Sequence, residues 1–238
     1  MVEGTVAAIG VVVPVHNEEL LLGRCLSGLA AAAAVVPVPT RVVLVLDRCT
    51  DGSAAIAWSH ARAGAQGDGG SATTVITSAR PGVGAARAAG VREVLRRHPA
   101  DGLWLATTDA DSEVPPHWLA RQLEHAGAGA DLVVGTVAVA DWSDHPPATR
   151  ERFLADYRPV PGHRHMHGAN LGFRAPAYLA VGGFGEHESD EDVDLIQRFE
   201  ADGRCVVWAA DVAVLTSARR VGRAPRGFAD HLISLEDA

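Results

Sequence analysis

The run Gly102-Leu103-Trp104-Leu105-Ala106-Thr107-Thr108-Asp109-Ala110-Asp111-Ser112 passes without a break from apolar residues to two carboxylates one residue apart. An apolar stretch of this length, bounded by polar turn residues, reads as a buried strand. Four similar runs occur at Ala8–Val15, Arg41–Asp47, Thr73–Thr77 and Asp131–Val139. Helix-like segments separate them at Glu18–Ala33, Ser53–Ala63, Gly84–Arg97 and Pro116–Ala126. Near-continuous Val, Ile and Leu strands alternating with helices indicate an α/β fold, with a mostly parallel central sheet flanked by helices on both faces. Ligands of such sheets collect at the carboxyl ends of the strands. The polar clusters fall there: His16 to Glu19, Asp47 to Asp51, and Asp109 to Asp111.

The alternation breaks after Val139. Asp141–Pro161 carries prolines and charges around a short helix, and a histidine-rich stretch then leads to a further strand, helix and strand. The glycine-rich segment Gln66–Ser71 reads as a loop inside one domain. A single domain over residues 1–238 is expected, with residues 1–111 as one half and 112–238 as a more variable second half.

Composition narrows the class. Hydrophobic residues at 47% and charged residues at 21% describe a packed globular chain. A net charge of -8 argues against nucleic acid as a partner, because phosphate neutralisation needs a basic surface. The three scattered cysteines, Cys25, Cys49 and Cys205, form no metal-binding spacing and fit reduced thiols in the cytoplasm. No signal-peptide pattern is visible, and no apolar stretch approaches the roughly 18 residues of an integral membrane segment. Peripheral contact with a membrane stays open.

Asp109 and Asp111 at a strand end can reach one divalent cation, and magnesium or manganese favours such oxygen ligands. The same residues also suit a helix cap or turn. Asn17 can cap the following helix, with Glu18 and Glu19 at its positive end. Asp51 can cap likewise, whereas Asp47 at a strand end can accept hydrogen bonds from a base or ribose. Pro81-Gly82-Val83-Gly84-Ala85-Ala86-Arg87 follows the third strand and carries Arg87 where a dinucleotide fingerprint needs its last glycine, so a dinucleotide site fits poorly. Its small residues allow close backbone approach, with Arg87 near a phosphate or on a helix surface.

In the acidic run Glu186 to Asp194, a helix starting near Glu191 places Asp192, Leu195, Ile196 and Phe199 on one face. An acid projecting inward from a helix's first turn suits a general base, and a solvated acidic face is the other reading. His163, His165 and His167 alternate and would point the same way on an extended segment. Arg219, Arg220, Arg223 and Arg226 either close over a diphosphate or solvate a tail.

In their order and spacing these motifs resemble the family 2 inverting glycosyltransferases, over nearly the whole chain. The resemblance rests on Pro14-Val15-His16-Asn17-Glu18-Glu19, Asp47 through Ser53, Gly82 through Arg87, Thr108-Asp109-Ala110-Asp111, Gly168-Ala169-Asn170 with Gly182-Gly183-Phe184, and Glu191-Asp192 with Arg198. It implies a Rossmann-like nucleotide-diphospho-sugar transferase fold of the A type, with residues 1–111 as the nucleotide-binding half. It implies a UDP- or GDP-linked sugar bound by Pro14, Glu19, Asp47, Arg87, Asp109 and Ala110. The divalent metal, manganese or magnesium, would sit on Asp111 and Asp109, with His167 the candidate for a late ligand. Asp192 matches the catalytic base, and Gly168, Asn170 and Glu191 would shape the side that binds the acceptor hydroxyl. The chain departs from the pattern at Leu46-Asp47, where paired aspartates are common. Two rivals stand beside this expectation: a sugar nucleotidyltransferase, and a non-catalytic sugar- or nucleotide-binding module of the same fold. The first normally needs a glycine-rich basic loop after the first strand, which Pro14–Glu19 does not supply.

Overall fold

The structure, a computed structural model, describes residues 5–64, 72–139, 141–185, 190–222 and 227–236. The segment Gln66–Ser71, the start of the acidic run at Glu186–Ser189, and Arg223 and Arg226 lie outside the described residues.

Strands β1 (Ala8–Val15), β2 (Thr40–Leu46), β3 (Ala72–Thr77), β4 (Leu103–Thr107), β5 (Leu132–Val139), β6 (Leu171–Arg174) and β7 (Val206–Thr216) form one sheet in the order β3-β2-β1-β4-β6-β5-β7. The pairs β1–β2, β2–β3, β1–β4 and β5–β7 are parallel, and β6 runs antiparallel between β4 and β5. The five strands expected from the sequence are present to within a residue or so at their ends.

Helices α1 (Leu22–Ala34), α2 (Ser53–Gly64) and α4 (Trp118–Gly127) cover one face. The other face carries α3 (Val83–Leu95), α6 (Ala175–Ala180) and α7 (Glu191–Ala201). Strand β1 therefore feeds two cores: Val11, Val13 and Val15 pack with Leu22 and Leu29, whereas Val12 packs with Ala86 and Val94. Period-two alternation within an all-apolar strand requires two covered faces. The remaining helices, α5 (Pro147–Asp156) and α8 (Phe228–Ser234), lie together beside the cleft.

Small residues let α3 lie unusually close to the sheet. A Cβ on Gly10 would come within 2.4 Å of Val94, and one on Gly90 within 2.3 Å of Val12. Helix and strand thus each give up a side chain where the other needs room, and this close seat carries Arg87 to the carboxyl end of the sheet. Helix α1 starts four residues later than the pattern predicted. Asn17 does not cap it: its backbone is left-handed (φ 55) and its Oδ1 accepts the Thr50 N–H at 2.8 Å.

Candidate active site

Parallel pairing sets the site. Val15 is in register with Leu46, and Val12 with Thr107, so the segments that follow β1, β2 and β4 emerge at one edge. A cavity of about 810 Å³ opens there. Pro14, Asp47, Arg87, Asp109, Ala110, Asp111, His167, Gly168, Glu191 and Asp192 all line it, so ten of the twelve site residues expected from the sequence share one space.

Glu19 and Asn170 do not. Glu19 is exposed, and its Oε2 accepts the Gly52 N–H at 2.7 Å. Together with Asp51, which accepts the Glu19 and Ser53 N–H groups at 3.1 and 3.0 Å, it laces the loop after β1 to the start of α2. The neighbouring acid, Glu18, faces the cavity instead. Asn170 is fully buried. Its Oδ1 accepts the Trp118 indole N–H at 2.8 Å, and its Nδ2 donates to the Thr136 and Val212 carbonyls at 2.8 and 2.9 Å. It pins α4, β5 and β7 together across the β-bulge between Val134 and Thr136, with its side chain turned into the core rather than into the cavity.

Asp47 receives the Gly82 N–H on Oδ2 (2.9 Å) and the Arg48 guanidinium on Oδ1 (3.0 Å). His16 Nδ1 lies 2.6 Å from the Asp47 carbonyl oxygen, so the ring donates there. Arg87 is buried on α3 and grips Asp109 at 2.5 Å and, even more closely, Glu191. Sequence alone offered Arg87 a phosphate or a surface; the structure gives it two carboxylates. Gly168 makes this arrangement possible, because a Cβ there would lie 2.5–2.6 Å from the guanidinium. The helix carrying Asp192 begins at Glu191, as its apolar face predicted, with Leu195, Ile196 and Phe199 fully buried beneath. Asp192 Oδ2 accepts the Gly168 N–H at 2.6 Å, which holds the carboxylate toward the cavity.

A second arginine completes the floor. Arg219, three residues past β7, donates to both oxygens of Glu18 (2.7 and 2.9 Å) and also to Asp111. Burial, with help from Asp109 and Glu18 and against the pull of Arg219, pushes the Asp111 carboxyl up to about 6. Beyond Asp192 the wall is aromatic. Tyr157 stacks between Phe153 and His165, with ring centres 4.7 and 3.9 Å away, and Phe228 meets His167 edge-on. Tyr157 accepts the Val137 N–H at 2.9 Å and lies 3.0 Å from His167 Nε2. Burial lowers His167 to about 4.

The alternating histidines part company: His165 and His167 line the cavity and His163 is buried beside Trp208. Among the described residues no group of three or more His, Cys, Asp or Glu gathers as a metal cluster, so His167 shares the cavity with Asp109 and Asp111 without joining them in one. Nothing in the sequence singled out Tyr157 or Phe228, whose place in the wall depends on α5 and α8 meeting. Arg219 was visible only as one of four tail arginines.

The family model described as "Glycosyl transferase family 2" matches residues 10–181. Among curated relatives, the undecaprenyl-phosphate 4-deoxy-4-formamido-L-arabinose transferase of Pseudomonas aeruginosa (strain LESB58) is 34% identical over 125 residues, covering 52% of this chain and 34% of that protein. The protein of the same name from Edwardsiella ictaluri is 33% identical over 133 residues, covering 56% and 38%. The chain thus spans little more than a third of the length of these relatives. Among solved structures, the mannosyltransferase PcManGT from Pyrobaculum calidifontis, in complex with GDP-Man and Mn2+, superposes with TM-score 0.63 at 19% identity, over 96% of this chain and 68% of that one. S. aureus TarS (residues 1–349) gives 0.62 at 15% identity, over 95% and 68%. At these identities the likeness is one of fold.

Proposed function

We propose that this chain, which belongs to glycosyl transferase family 2, moves a sugar from a UDP- or GDP-linked donor to an acceptor hydroxyl in a single inverting displacement. One observation carries the reading: Asp192 and the pair Asp109 and Asp111 line the same cavity. A base and a metal-type carboxylate pair are what a displacement at an anomeric carbon needs on its two sides.

The residues present fit a divalent cation. The described lining holds seven carboxylates (Glu18, Asp47, Asp109, Asp111, Asp190, Glu191, Asp192) against three arginines (Arg48, Arg87, Arg219). Such a surface repels a diphosphate unless a cation offsets it. Asp111, with Asp109 beside it, supplies hard oxygen donors suited to magnesium or manganese. When bound, that ion contributes Lewis-acid stabilisation of the departing diphosphate.

The protein's own groups do the rest. Pro14 and Asp47 border the nucleoside end, and Ala110 offers a small surface beside the two aspartates. The Gly168 N–H aims Asp192 so that its carboxylate takes the acceptor's proton as the sugar transfers. In this reading residues 1–111 serve the donor, residues 112–238 carry the base and the aromatic acceptor wall, and the protein works in the cytoplasm. Among the described residues no helix is long and apolar enough to cross a membrane.

The test is a transfer and donor-hydrolysis assay with UDP- and GDP-sugars, with and without manganese, against a panel of sugar acceptors and a polyprenyl phosphate. Asp192→Asn is expected to lose about 10³-fold in turnover while still binding nucleotide, within the usual range for a general base. Asp111→Ala is expected to lose manganese-dependent nucleotide binding. Near-normal turnover by Asp192→Asn would sink the base assignment. Binding without turnover would leave a non-catalytic sugar- or nucleotide-binding module, and release of pyrophosphate from a nucleoside triphosphate would point to a nucleotidyltransferase.

A further inference from the structure

Asp111 is already occupied by the protein. Its Oδ1 accepts the Ser112 hydroxyl at 3.3 Å, and its Oδ2 is held by Arg219. The same guanidinium forks onto Glu18, a buried carboxylate, with both of its terminal nitrogens. Arg219 therefore covers one of the two oxygens that Asp111 could offer a cation, and two positive charges on one carboxylate repel each other. Its side chain is 18% exposed and lines the cavity, so it can turn without disrupting the core. It stands on the segment between β7 and α8, where its own N–H bonds the Ser217 hydroxyl at 3.2 Å. That bond holds the backbone, so an exchange of partners needs only the side chain to pivot.

We propose that Arg219 is a donor-binding residue held in reserve: it latches Asp111 and Glu18, is displaced from Asp111 by the cation, and then pairs with the donor's diphosphate. The proposal rests on the donor and metal reading above. A planar guanidinium binds phosphate oxygens as readily as carboxylate oxygens, through paired hydrogen bonds. Among the described residues its anionic partners are the Glu18 and Asp111 carboxylates. Once a cation has taken one of them, the arriving diphosphate is the better-placed anion. The exchange keeps the buried charges compensated in both states and makes cation and nucleotide binding mutually reinforcing.

The test titrates manganese(II) alone by calorimetry, then titrates UDP and GDP at saturating manganese, for the native chain, Arg219→Gln and Arg219→Lys. Arg219→Gln is expected to bind manganese about tenfold more tightly without nucleotide, yet nucleotide about tenfold more weakly, a size common for coupled sites. Changes of opposite sign distinguish a latch from a structural brace, whose loss weakens both. Arg219→Lys keeps the charge but loses the fork, and is expected to shift both affinities in the same directions by less. If Arg219→Gln does not fold, Arg219→Lys carries the comparison alone. Unchanged or weaker manganese binding, or unchanged nucleotide binding, overturns the latch while leaving the donor reading intact. A native chain that binds nucleotide equally well without manganese also overturns the latch. If it binds neither ligand, the latch and the donor reading fall together.

Discussion

Two arginines divide the floor of the cleft, and each joins one of the paired aspartates to a second acid. Arg87 connects Asp109 to Glu191, and Arg219 connects Asp111 to Glu18. The chemistry is the same but the setting differs. Arg87 is 3% exposed on a helix seated against the sheet, with Gly168 closed over it, whereas Arg219 is 18% exposed on a connecting segment. A guanidinium that cannot move is a brace: it holds the helix start carrying Asp192 at a set distance from the end of β4. A guanidinium with solvent on one side can exchange partners. Burial, more than the number of hydrogen bonds, separates the two roles.

The largest effect should come from breaking the brace. Arg87→Met leaves the buried Glu191 carboxylate, and beside it the partly exposed Asp109, without a cation, which costs about 3–5 kcal/mol, nearly all of it at Glu191. For a chain of this size that lowers the melting temperature by roughly 10 °C, read by circular dichroism. If Arg87→Met melts like the native chain, the distinction between brace and latch is lost. Next, Gly168→Ala presses a methyl group into the guanidinium and should cost about 1–3 kcal/mol. It also shifts the N–H that aims Asp192, so turnover should fall while nucleotide affinity holds. Equal losses of both would show a general collapse instead. Arg219→Gln should cost least in stability, about 1 kcal/mol for a partly solvated pair.

The smallest effect is in pH dependence. His167 has its folded value lowered to about 4 from 6.5, so the unfolded chain takes up this proton first. Its contribution is present above pH 6.5 and is lost as pH falls toward 4. Asp111 has its folded value raised from 3.8 to about 6, so the folded chain keeps that proton longer. Its contribution is fullest below pH 3.8 and is lost as pH rises through 6. The two slopes oppose each other between about pH 4 and 6. Asp111→Asn should therefore steepen the acid loss of stability there, and His167→Asn should flatten it. Melting curves across that window check the signs.

Much of the fold was legible because buried parallel strands are continuous apolar runs and their helices fill the gaps between. Asp192 was legible as well, since Leu195, Ile196 and Phe199 announce the helix face that it heads. The resemblance named Glu19 for the pocket, whereas Glu18 is the one that lines the cavity, and local sequence does not separate the two. Which of two adjacent acids turns inward depends on Asn17 being drawn to Thr50 and Glu19 to Gly52, contacts made across more than thirty residues. Asn170 looked like an acceptor contact because an amide is equally at home in a site and in a core. Only its three partners, on α4, β5 and β7, show which.

By itself the sequence determined the alternation of strands and helices, the edge of the sheet where polar residues collect, and the paired aspartates at the end of β4, because these follow from local apolar periodicity. Tertiary structure alone decided which arginine meets which acid, how the aromatic wall is assembled and which asparagine is spent on packing. Those are contacts between residues distant along the chain, and their geometry exists only once α3, α7 and the segment after β7 have been seated on the sheet.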